Sequence, residues 1–179
     1  TLSHSSAASD VYKRQAAWWA PRVLFLANNH PSIQAHVLDQ CEGAKYIALD
    51  SMNLWIDIAF EELSSVLRRI DLAILNDNEV RMIAKDENLI RAGESIRSGE
   101  ALTGGKDSGI GPSILIIKKG EHGCIALTDS GMITLPAYPT SDLVDPTGCG
   151  DSFAGTLLTF LSETESLVPS LDELHNALV

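Results

Sequence analysis

The sequence predicts an α/β fold with a mainly parallel central sheet. Short, continuous apolar runs alternate with segments of helical periodicity, which is typical of parallel strands that helices cover on both faces. The chain also contains an apolar pair, Leu143-Val144, that leads into a glycine-rich loop and then into a helical pattern. The apolar runs occupy residues 23–27, 45–49, 72–75 and 113–117.

Composition and charge narrow the class of protein. The 179 residues are 45% hydrophobic and 21% charged, which is ordinary for a globular chain long enough to bury one core. No apolar run approaches the length of a membrane span. The net charge of −11 argues against nonspecific nucleic-acid binding, but it allows a local phosphate site. Cys41, Cys124 and Cys149 have no paired metal spacing, so we predict reduced thiols and a cytoplasmic location.

The beginning of the chain differs from the rest. Residues 1–15 are small or polar and show no hydrophobic period. The apolar stretch 16–20 is too short for the core of a signal peptide, and no basic segment precedes it. We therefore predict that residues 1–21 form a disordered or non-native leader and that the folded domain covers residues 22–179.

The predicted domain begins with a strand and a helix. Residues 23–27 form the strand, and Pro31 suits the first turn of the helix that follows. Ile33, Val37 and Leu38 recur at helical spacing. We expect these three side chains to lie on the buried face of that helix.

The second strand, residues 45–49, ends at Asp50. Helical periodicity between residues 55 and 70 then leads to the third strand at 72–75. Asp50 and Asn53 therefore lie near the carboxyl end of a strand, where open α/β sheets bind ligands. For these two residues we favour a simpler role as turn and capping residues.

The third strand runs into Asn76-Asp77-Asn78-Glu79 and then a helix. Mg²⁺ keeps several waters when it binds proteins, so Glu79 could act on it through water while Asn76 reaches a phosphate. The same spacing also suits a capping box at a helix start. The four residues alone leave both interpretations open.

The second half of the chain continues with a helix at 89–96 and a long loop. Residues 98–112 contain five glycines and no hydrophobic period. A buried strand at 113–117 follows, and after a turn at 118–123 two further strands form a hairpin around Asp129-Ser130-Gly131. Residues 171–179 are predicted to be helical.

The stretch 145–155, DPTGCGDSFAG, joins a strand end to a helix and predicts an anion site. The first N–H groups of a helix lack intrahelical partners and carry partial positive charge. Gly148 and Gly150 allow the backbone to approach an anion closely. A carboxylate at Asp151 beside such a site is best explained as a proton acceptor. The alternative is that Asp151 or Ser152 simply caps the helix.

Other glycine-loop motifs do not fit this stretch. The dinucleotide fingerprint requires a small residue where Phe153 stands, which disfavours a Rossmann oxidoreductase. Gly150 and Gly155 have the spacing of a Walker A loop, but Thr156 replaces its lysine. The G-x-S-x-G elbow of the α/β-hydrolases is absent.

The stretch 145–155 resembles the C-terminal signature of the PfkB (ribokinase-like) carbohydrate kinases, usually D-T-T-G-A-G-D-S-F-x-x-G. It departs from that pattern at Pro146, at Cys149 and in the spacing of the last glycine. Residues 24–28 and 50–56, the N-x-x-E motif at 76–79 and the K-K-G-E-H-G turn at 118–123 also resemble family segments, in the family's order. The resemblance covers about residues 23–179 of this chain and corresponds to the C-terminal portion of the family's sequences. The chain is therefore predicted to be a fragment.

The resemblance implies a ribokinase-like, three-layer fold and ATP-dependent phosphorylation of a hydroxyl group on a sugar or related small molecule. It implies an anion hole at Gly148, Cys149 and Gly150, with Asp151 as the general base. It implies Mg²⁺ held near Glu79 through water and, in some relatives, a monovalent cation such as K⁺ near Asp145. The residues implied in nucleotide binding are Asn76, Glu79, Lys118, Gly120, Gly123 and Gly150.

Several alternatives stay open at this stage. Nucleoside kinases share the fold, and the chain could be a noncatalytic nucleotide-binding fragment. The turn at 118–123 could be a plain hairpin turn with solvated lysines. We expect a small-molecule acceptor as the partner, with no nucleic acid and no membrane. The family builds its acceptor pocket largely from its N-terminal half, so we expect the isolated chain to be inactive and its sheet edge to be free to form a homodimer.

Overall fold

The computed structural model describes residues 20–142, 145–164, 166 and 168–179. Residues 1–19 of the predicted leader and the strand end at Leu143-Val144 lie outside the described residues. Within the described part, the carbonyl of Pro21 accepts a hydrogen bond from the Lys45 N–H at 3.1 Å. The chain is therefore tied to the fold from Pro21 onward.

In the described part of the chain, six strands form one sheet whose spatial order follows the order of the sequence. The first four strands are parallel, and the last two add antiparallel neighbours. This confirms the predicted α/β class, with a mainly parallel sheet. The strands are β1 (Val23–Leu26), β2 (Tyr46–Asp50), β3 (Leu72–Asn76), β4 (Ile114–Lys118), β5 (Cys124–Thr128) and β6 (Gly131–Leu135).

The helical segment predicted at 55–70 is interrupted at Ala59, whose φ of −143° is not helical. The interruption allows Ile56 and Leu63 to pack into the core while Ile58 stays exposed. In the described parts of the chain, no helix has both the length and the hydrophobicity needed to cross a bilayer. The helices are α1 (Pro31–Gln40), α2 (Asn53–Ile58), α3 (Phe60–Leu67), α4 (Asp77–Ala84), α5 (Leu89–Arg97), α6 (Cys149–Glu163) and α7 (Leu171–Leu178).

The helices cover both faces of the sheet and form three layers. Side chains alternate between the faces along each strand, so Leu75 and Ile117 face one core while Ile74 and Ile116 face the other. Helices α1 to α5 pack on the first face, and α6 and α7 pack on the second. The three-layer prediction is confirmed.

The buried face of α1 differs from the prediction. Ile33 is 49% exposed, and Gln34 is buried in its place. The Gln34 side-chain N–H₂ donates to the carbonyls of Ala27 at 3.0 Å and Asp50 at 3.2 Å. The Asp50 carbonyl belongs to a buried residue and needs such a partner. Gln34 therefore ties the ends of β1 and β2 together.

The loop at 98–112 is organised around Arg68 of the segment after α3. The Arg68 guanidinium donates to the carbonyls of Thr103 and Gly105, both at 3.0 Å, and to that of Gly109. A short 3₁₀ turn at Lys106–Ser108 lies within the loop. The glycines thus let the backbone fold closely around one arginine, which periodicity could not predict.

Candidate active site

Asp50 and two predicted site residues, Asn76 and Lys118, lie together at the carboxyl ends of three strands. Parallel strands β2, β3 and β4 end at Asp50, Asn76 and Lys118. In the register of the sheet, Asn76 lies beside Lys118, and Asp50 lies beside Ile74, two residues before Asn76. The carboxyl ends of parallel strands are where α/β sheets bind ligands.

Lys118 and Asp50 form an ion pair at this edge. The Lys118 Nζ lies 3.2 Å from Asp50 Oδ1, and their side chains are 22% and 9% exposed. A Cβ added to Gly150 would lie 3.5 Å from that Nζ and 3.9 Å from Asp50 Oδ2. The pair therefore lies directly against the first turn of α6.

The start of α6 presents backbone N–H groups beside the glycine loop. Gly148 precedes the helix with a φ of +81°, and the intrahelical bonds begin with the Ser152 N–H, which donates to the Gly148 carbonyl at 2.9 Å. The Cys149 N–H donates to the Pro146 carbonyl at 3.1 Å. The Gly150 and Asp151 amides follow in the first turn, where N–H groups have no intrahelical partner. The Asp151 side chain is exposed.

Asp145 shapes the turn before this helix. Its Oδ1 accepts the Thr147 N–H at 2.8 Å. The backbone and side-chain hydrogen bonds from Thr147 lower the pKa of Asp145. Asp145 therefore keeps an exposed, ionised carboxylate beside the glycine loop.

Asn76 and Glu79 form a complete capping box at the start of α4. Asn76 Oδ1 accepts the Glu79 N–H, and Glu79 Oε2 accepts the Asn76 N–H, both at 2.8 Å. The Asn76 side-chain amide also donates to Glu79 Oε1 at 2.6 Å. The capping interpretation is therefore correct as structure, and each carboxylate oxygen keeps a lone pair for another partner.

The charged groups at the ends of β2 and β4, Asp50 and Lys118, also affect Glu79. The residue is only 3% exposed, and this burial raises its pKa to about 7. The Asn76 hydrogen bond and the Lys118 charge oppose the rise, whereas the charges of Asp50 and Asp77 add to it. The charges of Lys118 and Asp50 therefore act in opposite directions on the pKa of Glu79.

A cavity of about 630 Å³ lies beside Lys118, between the β4–β5 turn and the first turn of α6. The segment after β6 and the end of α7 complete its walls, which are largely apolar. Asn76, Glu79, Gly148 and Asp151 lie outside these walls. Of the predicted site residues, the cavity brings together Lys118, Gly120, Gly123, Cys149 and Gly150.

The turn between β4 and β5 requires glycine at one position. Gly123 has a φ of +83°, and a Cβ there would lie 1.9 Å from the Leu135 carbonyl oxygen. Gly120 also has a positive φ, +56°, but an added Cβ would meet no atom within 4 Å. His122 is exposed on the same turn. Gly123 therefore lets β6 pack against the turn that lines the cavity.

We expect Gly123→Ala to lower the free energy of unfolding by at least about 2 kcal/mol, because the left-handed backbone and the overlap with Leu135 both oppose a Cβ. Denaturant titration measures the change. Gly120→Ala is the matched control, since it carries the backbone strain without the overlap. Equal losses in the two variants would contradict the steric argument.

Sequence reasoning underestimated Asp50. The turn and cap interpretation accounts for its hydrogen bond from the Ser51 N–H at 3.0 Å but not for its pairing with Lys118. The partners are 68 residues apart, and only the strand register joins them. The capping interpretation of Asn53 is wrong, because Met52 occupies the cap position and Asn53 is the first residue of α2.

Sequence comparison finds relatives for most of the chain. The family model described as "pfkB family carbohydrate kinase" matches residues 24–172. Fructokinase-2 of Zea mays is 27% identical over 122 residues, which cover 68% of this chain and 33% of that protein. Cytidine kinase of Thermococcus kodakarensis is 29% identical over 107 residues, covering 59% of this chain and 34% of that protein. The chain thus spans about a third of the length of these relatives.

Solved structures share the fold. Ribokinase from Giardia lamblia superposes with a TM-score of 0.68 at 16% identity, covering 95% of this chain and 55% of that one. Fructokinase from Vibrio cholerae, bound to fructose, ADP and calcium, gives a TM-score of 0.65 at 18% identity, covering 87% and 50%. Aminoimidazole riboside kinase from Salmonella enterica gives 0.62 at 21% identity, covering 88% and 54%. These TM-scores show a common, ribokinase-like fold.

Proposed function

The chain belongs to the pfkB family of carbohydrate kinases, and from this membership we propose that its protein transfers a phosphoryl group from ATP to a hydroxyl group of a sugar or related small molecule. The observation that carries the proposal is the position of Lys118. Its ammonium group lies against Gly150 in the first turn of α6 and lines the cavity as well. A cation and free helix amides thus face the same space.

The cavity fits a nucleotide. Its volume of about 630 Å³ is within the range of small-molecule sites, and its largely apolar walls suit a flat base. Lys118 and the Gly150 amide are at the side where phosphate charge would be received. Gly120 and Gly123 allow the backbone of the β4–β5 turn to approach the nucleotide without side-chain obstruction.

In the proposed reaction, Asp151 accepts the proton of the attacking hydroxyl group. Its carboxylate is exposed to an incoming acceptor and is adjacent in sequence to Gly150. Gly148, Cys149 and Gly150 form the proposed anion hole for the transferred phosphoryl group. The Cys149 amide must exchange its bond to the Pro146 carbonyl for one to the anion. Phosphoryl transfer depends mainly on such positioning and electrostatic stabilisation.

The residues present fit a water-mediated role for Mg²⁺. Among the described residues, no group of three or more His, Cys, Asp or Glu side chains could hold a metal ion. Glu79 would contribute through water, with Asn76 beside it on the phosphate side, as proposed from the sequence. When bound, Mg²⁺ neutralises phosphate charge. Asp145, ionised beside the loop, is the proposed neighbour of K⁺.

The acceptor is proposed at the level of class. Fructokinase-2 and cytidine kinase match this chain to similar extents, so sugars and nucleosides are both candidates. A noncatalytic nucleotide-binding role is the alternative from a different class. The two functions differ in whether bound ATP is consumed when an acceptor is added.

The test uses the complete gene product that contains this chain. Calorimetry measures binding of ATP with Mg²⁺, and a coupled assay measures ADP release with fructose, ribose, cytidine or adenosine. We expect ADP release that requires both Mg²⁺ and one of these acceptors. Nucleotide binding without acceptor-dependent ADP release would instead identify a noncatalytic binding module.

A further inference from the structure

We propose that Asp50 is a positioning residue for the proposed phosphoryl transfer: it holds the Lys118 ammonium group against the first turn of α6, where phosphate charge is received. The inference rests on the proposed function and adds a residue that none of the sequence motifs assigns to it. The pair lies where two strands of the sheet, β2 and β4, end on either side of β3.

The pair is asymmetric in a way that suits this role. Asp50 is nearly buried, with its side chain 9% exposed, whereas Lys118 is 22% exposed and lines the cavity. The carboxylate therefore lies behind the ammonium group as seen from the cavity. An ammonium group has three donors, so it can bind Asp50 and still donate to an anion on its open side.

Asp50 is itself fixed at both its side chain and its backbone. Its Oδ1 accepts the Ser51 N–H at 3.0 Å, and its carbonyl accepts from the Gln34 side chain at 3.2 Å. Gln34 also binds the Ala27 carbonyl at the end of β1. Asp50 is thus fixed at the ends of β1 and β2, and it in turn fixes the otherwise flexible side chain of Lys118. Ordering that side chain before the substrate arrives lowers the cost of positioning it during the reaction.

A purely structural ion pair would behave differently. Removing one partner of a buried pair lowers stability whether or not the site is used. If Asp50 only stabilises the fold, kcat per folded molecule should be unaffected once Asp50 is replaced. If it positions Lys118, kcat should fall, and the loss should disappear when Lys118 is already absent.

We expect Asp50→Asn to lower kcat for acceptor-dependent ADP release about 10- to 100-fold, with less than about threefold change in the KM for ATP. The double variant Asp50→Asn with Lys118→Met should be no slower than Lys118→Met alone. Asp50→Glu, which keeps the charge, should recover part of the rate. Asp39→Asn is the control, because it removes the carboxylate of the surface pair with Arg69, at 2.6 Å, and should leave kcat unchanged.

A second readout requires no turnover. Amine acylation followed by peptide mass spectrometry compares the labelling of Lys118 with that of its neighbour Lys119. We expect ATP to protect Lys118 selectively in the parent protein, much less in folded Asp50→Asn protein and to an intermediate extent in folded Asp50→Glu protein. Unchanged protection, or strictly additive kcat losses, would overturn the role of Asp50. Absence of acceptor-dependent ADP release in the parent protein, with selective protection retained, would count against the proposed function and leave the positioning of Lys118 supported.

Discussion

Replacing Asp151 with Asn is expected to lower kcat at least about 100-fold and to leave the Kd for ATP within about twofold. Asn has nearly the same shape as Asp but cannot accept the proton of the attacking hydroxyl group. The side chain is exposed in the first turn of α6, so the substitution removes no buried contact. The loss should therefore appear in the chemical step.

The matched control is Asp172→Asn. Asp172 is also an exposed carboxylate in the first turn of a helix, α7, so its replacement reproduces the change in charge and helix-dipole interaction. We expect this variant to keep the parent kcat in the ADP-release assay. Near-normal turnover in Asp151→Asn, or equal losses in both variants, would remove Asp151 from the role of general base.

The sheet was predictable because strands buried on both faces leave a strong local signal. Residues 72–75 and 113–117 are almost wholly apolar, and both lie in strands within one or two residues of the predicted bounds. The burial of Gln34 was not predictable in this way. Its partners are carbonyls at the ends of two strands, and only the assembled sheet shows that they need a donor.

The same distinction applies to the candidate site. The glycine loop and the turn at 118–123 carry local patterns, and the structure brings both to one cavity. The pairing of Asp50 with Lys118 leaves no local pattern, because it depends on the register of three strands. The N-x-x-E motif does have a local pattern, but the pattern does not decide its role. It suits helix capping and phosphate binding equally well, and the structure contains the capping box.

Stability should fall as pH rises from about 4.5 to about 7 because of Glu79. Burial raises the pKa of Glu79 to about 7 from its ordinary value of 4.5. Between these values the folded state binds the proton and the unfolded state has released it, so the free energy of unfolding decreases with increasing pH. The contribution is fully present below the lower value and is lost above the higher one. Its size is on the order of 3 kcal/mol.

Urea denaturation between pH 4 and pH 8, with EDTA and without nucleotide, measures this dependence. Burial also raises the pKa of Asp71, so the informative quantity is the difference between the parent protein and Glu79→Gln. Glutamine does not titrate, so the variant should lose the Glu79 part of the slope. Glu62→Gln is the control, because Glu62 is an exposed carboxylate in the first turn of α3 and its replacement should preserve the slope. Parallel curves for the parent protein and Glu79→Gln would mean that the pKa of Glu79 is the same in the folded and unfolded states, and that the hydrogen bonds from Asn76 offset the effect of its burial.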